Sequence, residues 1–502
     1  MRKLALNDEI LLKIEKPARY IGGEYNSVMK DPEKVAIRFA MCFPDVYEIG
    51  MSHLGIQILY DMFNRREDVW CERVYSPWVD LDKVMREEHI PLFALESQDP
   101  VKEFDFLGIT IQYEMCYTNI LQILDLSGIP LHAKERTEDD PIVIGGGPCT
   151  YNPEPIAEFF DMFYIGEGET VYDALFDAYK ANKAAGGSRT DFLYAASRIP
   201  GIYVPSLYNV TYKEDGTVAS FTPAKEGVSE KVCKQLITDV TKDYRAIKAP
   251  VVPFIKATQD RVTLEIQRGC IRGCRFCQAG MIYRPVREKS PETINKQCRA
   301  LCDNTGYDEV SLSSLSSSDY SQIVPLLDKL NEWSKDEKVS ISLPSLRVDG
   351  FTDDIMNKIK TVRKSGLTFA PEAGSQRMRD VINKNVREDE LLQTCTTAFA
   401  GGWTTVKLYF MIGLPTETMD DVAAIAGLGQ SVVDAYYKCP EKPKGKSVRV
   451  TVSASSFVPK PFTPFQWEPQ DTIPVLHEKQ QHIKDSITTR KIQFNYHDAD
   501  TS

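Results

Sequence analysis

Histidine is scarce in this chain of 502 residues: there are six, and none lies between His132 and His477. A zinc site that relied on imidazole has nothing to draw on across the middle of the sequence. Long apolar runs are missing too. No segment approaches the ~18 apolar residues of a membrane span. The N-terminus, MRKLALNDEILLKIEKP, is broken by charges where a signal peptide needs a continuous apolar core. Nor is there an excess of positive charge: 60 Lys and Arg against 71 Asp and Glu leave −11. That balance argues against a broad, non-specific nucleic-acid surface, though a local basic groove stays open. Twelve cysteines show no regular disulfide framework, which fits a reducing cytosol and makes cytoplasmic the expected location. No internal repeat or low-complexity stretch is evident. The hydrophobic and charged fractions, 42% and 26%, are those of an ordinary globular protein. The length allows about three domains.

What is present is concentrated in one stretch, RGCIRGCRFCQAG, from Arg268 to Gly280. Cys270, Cys274 and Cys277 follow the spacing Cys-x-x-x-Cys-x-x-Cys, directly after the strand-like VTLEIQ. Three thiols this close cannot all pair as disulfides, and one loop can aim three soft thiolates at a shared metal centre. Arg268, Arg272 and Arg275 alternate with the cysteines. Their charge is expected to lower the thiol pKa values and offset that of a thiolate-bound cluster. Gly269 and Gly273 let the backbone wrap closely. A structural zinc wants four closed ligands, yet the next cysteine is Cys298, on the following helix. Three cysteines without an obvious fourth leave one open coordination position on a four-iron cluster, which suggests catalysis more than structure.

With Phe276 just before the third cysteine, the motif resembles that of radical S-adenosylmethionine (SAM) enzymes. Nearly the whole chain is similar to those members that carry a cobalamin-domain-like N-terminal half. The motif says nothing about the substrate. The resemblance implies that Cys270, Cys274 and Cys277 hold three irons of a 4Fe–4S cluster, while the fourth iron chelates SAM. An external one-electron reductant of flavodoxin or ferredoxin type would drive cleavage to methionine and a 5′-deoxyadenosyl radical.

The expected fold class is α/β. Residues 1–31 read as a charged lead-in and 32–200 as a doubly wound, Rossmann-like sheet similar to a cobalamin-binding domain. Strand-like VAIRFAMCF, RVYSPW, FDFLGITIQ and PIVIGGGP alternate there with helical patterns, from Leu54 onward and over Tyr117 to Ser127. Ligands of such sheets sit at the carboxyl ends of the strands. Cobalamin domains carry Asp-x-His-x-x-Gly in their first loop; Asp45 and Gly50 are kept here, but Tyr47 takes the histidine's place. A neutral phenol is a poor cobalt ligand, so histidine-ligated cobalamin is not expected. A corrinoid without a protein ligand, or a domain that has lost it, both stay open. His53 reads as a helix-face residue. A hairpin turning on Asp215-Gly216 and a polar, proline-punctuated linker fill 201–260.

Residues 261–470 read as a partial (β/α)6 radical SAM barrel, its strands VTLEIQ, DEVSLS, VSISLP, LTFAP, TTVKLYFMI and SVRVTVSAS. Barrels of parallel strands place function at the strands' carboxyl ends. By resemblance the SAM contacts would be Ser313 and Ser314 after the second strand, where many relatives have Gly-Gly-Glu, and Arg347, near Ser345, after the third. Glu372, Gly374 and Ser375 would meet the ribose, Gly413 and Pro415 the adenine, and Phe276 would pack against it. Each of these is also explained by a turn glycine, a helix cap or a core aromatic. Glu417 suits a helix N-terminus.

Residues 471–502 read as a C-terminal helix with an abrupt end, as in a truncated product. Lys460, Phe462, Phe465 and Trp467 would line the barrel mouth or cover its bottom. The function so implied is reductive SAM cleavage, with cobalamin-assisted methylation if the cofactor binds and rearrangement or thiolation otherwise. The substrate, RNA or protein among the candidates, is open. The alternative is a non-catalytic iron–sulfur or zinc protein acting as a partner-binding module.

Overall fold

The computed structural model describes residues 6–241, 246–344 and 367–501. It divides into two compact units, one of Met1–Asp260 with Asp303–Gly306, the other of Arg261–Cys302 with Tyr307–Ser502. Among the described residues no helix is long and apolar enough to cross a membrane.

The first unit is built on a six-stranded sheet. Its strands are β1 (Ile37–Phe43), β2 (Val69–Tyr75), β3 (Phe106–Thr110), β4 (Ile142–Gly146), β5 (Met162–Tyr164) and β6 (Ile202–Tyr203), in the order β2-β1-β3-β4-β5-β6. All neighbours run parallel except the β5–β6 pair. The order reverses between β1 and β3, the switch point at which such sheets form their ligand crevice. Side chains of β1 alternate between two cores. Ile37, Phe39, Met41 and Phe43 pack with helices Leu54–Asn64 and Tyr172–Ala184. Ala40 and Cys42 face the side of Val79–Glu88 and Tyr117–Leu126. Burial on both faces is why these strands read as unbroken apolar runs.

β2 departs from that rule. RVYSPW marked its place, but the strand starts four residues earlier and stops at Tyr75. Buried charges disguised it: Glu72 pairs with Arg38 (2.5 Å), and Arg73 with Glu24 (2.8 Å) and Glu96 (2.6 Å). The hairpin forms as expected, β7 (Tyr208–Tyr212) with β8 (Val218–Pro223), Gly216 adopting φ +81° in the turn. The stretch read as a linker instead packs on the first unit. Ile237, Val240, Ile247 and Val251 are buried, and Val252 bridges to Tyr25.

Among the described residues the second unit holds two wholly parallel sheets. One has the order β13-β12-β9, from β9 (Val262–Glu265), β12 (Glu309–Ser313) and β13 (Ser340–Ser342). The other runs β14-β15-β16-β17, from β14 (Leu367–Glu372), β15 (Thr405–Ile412), β16 (Arg449–Ser456) and β17 (Ile492–Tyr496). The last is a seventh parallel strand where six units were expected, lying beyond helix Ile473–Ser486 in the stretch read as a helix alone. Short antiparallel β10 (Gln267–Arg268) and β11 (Arg287–Glu288) close the base of the cysteine loop. Ser290 caps the next helix, accepting from the Thr293 N–H at 3.2 Å, as its sequence foretold.

Candidate active site

The cysteine loop leaves the carboxyl end of β9 and returns through β11. Gly269 takes φ +82°, and a Cβ there would lie 2.7 Å from the Tyr283 carbonyl oxygen, so only glycine fits the crossing. Backbone N–H groups point at two of the sulfurs: Arg272 donates to Cys270 Sγ and Gly280 to Cys277 Sγ, each at 3.4 Å. Cys274 is buried, and the other two are partly exposed. The loop is held from outside as well. Arg275 N–H donates to the Ile382 carbonyl (3.0 Å), Asn383 Nδ2 to that of Gly273 (2.9 Å), and Phe465 N–H to that of Arg275 (3.3 Å).

Phe276 inserts into an apolar cluster with Ala373, Met378, Ile382, Leu414, Phe457, Phe465 and Met411. These side chains come from the carboxyl ends of β14, β15 and β16, from helix Gln376–Val381 with its cap Ile382, and from the proline-aromatic segment. Residues nearly 200 apart in sequence thus meet beside the cysteines. Phe465 belongs to this cluster, while Trp467 lies exposed at 88%.

Glu372 ends β14 with φ +67°, a left-handed conformation that costs a non-glycine residue free energy and persists where the surroundings demand it. Its carboxylate is half-buried and paired with Lys384 Nζ at 3.1 Å. Burial holds the Glu372 pKa above the usual carboxylate range, Lys384 pulling the other way. Burial likewise pushes the Cys277 thiol up; the Gly280 N–H and Lys384 lower it, Cys270 and Glu372 raise it. Lys384 was missed in the sequence, because INKN reads as a solvated turn. Asn383 and Asn385, both at positive φ, shape that turn, and the Lys384 side chain is left half-buried on Glu372.

Lys384 is the cation that lowers the Cys277 thiol pKa, where the sequence pointed to the arginines. Arg268 is taken by Glu265 (2.8 Å) and Arg272 by Asp319 (2.9 Å). Arg275 turns to the surface, where its guanidinium meets the Val381 carbonyl.

The other expected contacts divide. Ser313 ends β12, and Ser314 Oγ is engaged with Ser317 Oγ (3.2 Å) and the Ser316 N–H (3.1 Å). Arg347 and Ser345 lie outside the described residues. Gly374 sits where a Cβ would stand 2.3 Å from the Ile425 nitrogen, so close helix packing accounts for that glycine. Ser375 caps helix Gln376–Val381 and donates to Asp421 Oδ1 at 2.5 Å. Gly413 follows β15 at φ +80°, its N–H on Glu417 Oε2 (2.7 Å), with half-buried Pro415 two residues on. Glu417 pairs with Lys479 (2.8 Å) and so braces this turn.

Three thiolates from one loop, with N–H donors already aimed at sulfur, fit an iron–sulfur cluster with a position left over. A closed structural zinc would want a fourth ligand besides these cysteines. The cobalt-ligand position of the first unit fits less well. Tyr47 is buried and donates to Glu24 Oε1 at 2.9 Å, inside the Arg73 network and not at a ligand face. His53 caps helix Leu54–Asn64, its Nδ1 accepting from the Ile56 N–H at 3.3 Å, instead of lying on a helix face. At the switch point Tyr113 OH donates to Asp45 Oδ2 (3.3 Å) across the ends of β3 and β1.

Comparison with known proteins agrees with this geometry. Residues 55–205 match the model for the N-terminal region of radical SAM proteins, and residues 264–428 match that of the radical SAM superfamily. An uncharacterized protein of Methanocaldococcus jannaschii is 28% identical over 472 residues, covering 92% of this chain and 86% of its own. Two solved structures share the fold. One is the radical SAM methyltransferase TsrM of Kitasatospora setae with cobalamin and a [4Fe-4S] cluster bound, at TM-score 0.53 and 11% identity, covering 86% of this chain and 78% of TsrM. The other is the cobalamin-dependent SAM radical enzyme OxsB, at TM-score 0.51 and 13% identity, covering 89% of this chain and 56% of OxsB. The cysteine loop, the strands around it and both family models lead to one conclusion: the chain belongs to the radical SAM superfamily.

Proposed function

We propose that this protein is a radical SAM enzyme in which Cys270, Cys274 and Cys277 hold a 4Fe–4S cluster that leaves one iron open to SAM. Together those cofactors supply reductive cleavage of the sulfonium and a 5′-deoxyadenosyl radical that takes a hydrogen from the substrate. The observation that carries the reading is the convergence of Phe276, Ala373, Leu414 and Phe457 beside the cysteine loop. It gathers the carboxyl ends of three strands around one point, where parallel-strand enzymes work. Glu372, held by Lys384, presents carboxylate oxygens suited to accept from a pair of ribose hydroxyls. Phe276 and Leu414 give an apolar floor for a flat base, and the Gly413 turn lets backbone approach it.

Of the solved neighbours, TsrM is described with cobalamin bound and OxsB as cobalamin-dependent. For this chain we assign no side-chain ligand to cobalt, since Tyr47 is tied to Glu24 and His53 to its helix. A corrinoid would be held by the loops at the carboxyl ends of the first sheet, and methylation is the outcome it would favour. Titration with hydroxocobalamin, gel filtration and absorbance of the protein peak separate this from cobalamin-free chemistry.

The primary test is anaerobic reconstitution with iron and sulfide, then dithionite and SAM, with 5′-deoxyadenosine quantified beside a Cys274→Ala control. Product that vanishes in the control supports the reading. No product from a fully assembled cluster would return the loop to an electron-carrying or structural role.

A further inference from the structure

We infer that the helix-free face of the β14–β17 sheet ends in an oxyanion subsite made by Lys407, Arg449 and Lys491, and that the substrate is a small, hydroxyl-rich phosphate monoester. This rests on the function proposed above and adds to it the chemical class of the molecule the radical meets. Side chains of β15 alternate between two faces. Val406, Leu408, Phe410 and Ile412 pack into the core formed with the helices of this unit. Lys407, Tyr409 and Met411 point the other way. Met411 reaches the Phe276 cluster beside the cysteine loop. On β16 the same face carries Thr451 and Ser453, the register partners of Lys407 and Tyr409. A face of this kind offers an apolar substrate little to be buried against, whereas hydroxyl and phosphate oxygens find donors along it.

The charge on this face is of one sign. β15, β16 and β17 contain no Asp or Glu, in a chain that has 71 of them. Lys407 Nζ lies over the Tyr409 ring, 4.5 Å from its centre, and Tyr409 is itself 40% exposed. That contact steadies the ammonium without neutralising it. Arg449 opens β16 two residues before Thr451, which puts its Cα about 8 Å from that of Lys407. Lys491 comes in beside it, its carbonyl accepting from the Val450 N–H at 2.9 Å. Among the described residues none of these three cations meets a carboxylate, whereas Lys384 holds Glu372 and Lys479 holds Glu417 near the cysteine loop. One cation would satisfy a carboxylate; several beside hydroxyls suit a dianionic phosphate. From Met411 to Lys407 is four residues of strand, about 13 Å, so the phosphate sits at the far end of the substrate from the reacting carbon. An RNA strand would call for cations repeated along the face, one for each phosphodiester. Here they gather at the amino-terminal end, with hydroxyls between them and the cysteines.

The test is isothermal titration calorimetry on the full-length, reconstituted protein. Ribose 5-phosphate is compared with ribose and with a short RNA oligonucleotide that lacks a terminal phosphate. The variants are Lys407→Gln, Arg449→Gln, their double, the conservative Lys407→Arg, and Lys134→Gln, an exposed lysine of the first unit that controls for net charge. Ribose 5-phosphate should bind at least about tenfold more tightly than ribose, and each Gln variant should lose about tenfold. Lys407→Arg and Lys134→Gln should keep most of the affinity, and wild-type binding should weaken with added salt. The single variants decide the matter should the double fail to fold. Equal affinity for ribose and its phosphate, or an unaltered Kd in the Gln variants, would overturn the inference. So would tighter binding of the oligonucleotide that these variants abolish, which would give the face to a nucleic acid. Absent 5′-deoxyadenosine with dithionite and SAM would instead sink the proposed function, while the titrations still report on the phosphate site.

Discussion

Lys384 Nζ lies 3.1 Å from Glu372 Oε1, and both residues act on the thiol of Cys277. The pair links a strained strand end to the cysteine loop. Lys384→Met would leave a half-buried carboxylate without its cation, at a cost of about 1–3 kcal/mol. Urea unfolding followed by tryptophan fluorescence measures it. Combining Lys384→Met with Glu372→Gln should recover part of that loss, since no charge is then stranded. SAM cleavage should stay impaired in the double variant if Glu372 serves the ribose.

Two glycines on neighbouring elements should respond with opposite signs. A Cβ at Gly374 meets backbone atoms of Ala424 and Ile425 at 2.3–2.5 Å, and backbone cannot step aside. Gly374→Ala is expected to destabilise by about 1–3 kcal/mol or more. Gly427 lies in helix Met419–Lys438, exposed, with nothing within 4 Å of the place an added methyl would take. Gly427→Ala should stabilise by about 0.5–1 kcal/mol. Denaturation midpoints of the two variants decide both.

His53 gives the first unit an acid-sensitive point. Burial lowers its pKa from 6.5 to about 4, the Gln112 side chain opposing. The unfolded chain therefore binds a proton on this residue before the folded chain does. Stability from this site is full above pH 6.5 and falls as pH drops toward 4. Glu72 runs the other way: burial raises it to about 7, so acidification favours its folded form. His53→Asn keeps a capping side chain and removes the titration. The Tm difference between wild type and this variant should shrink from pH 7 to pH 5, and a constant difference would exclude His53 as the source.

Tyr47→Phe removes one donor from Glu24, which keeps two bonds from Arg73. A loss of about 1 kcal/mol is expected, with no change in any cobalamin absorbance. A shift in that spectrum would show that the phenol faces the ligand crevice after all.

The sequence by itself determined the cysteine loop, the alternation of strands and helices in both halves, the hairpin turn and the helix start at Ser290. All of these are written in spacing over a few residues, where backbone geometry and burial leave a local trace. Tertiary structure decided the rest. Arg73 meets Glu24 across 49 positions, so β2 looked too charged to be a buried strand. The same network captured Tyr47 and turned the residue in the cobalt-ligand place into a core donor. Lys384 became the cation acting on Cys277 because two left-handed asparagines shape its turn and Glu372 receives it, while the arginines next to the cysteines found carboxylates or the surface. Partners distant in the chain set the fate of a charge, since a buried ion is tolerable only where its counter-ion arrives.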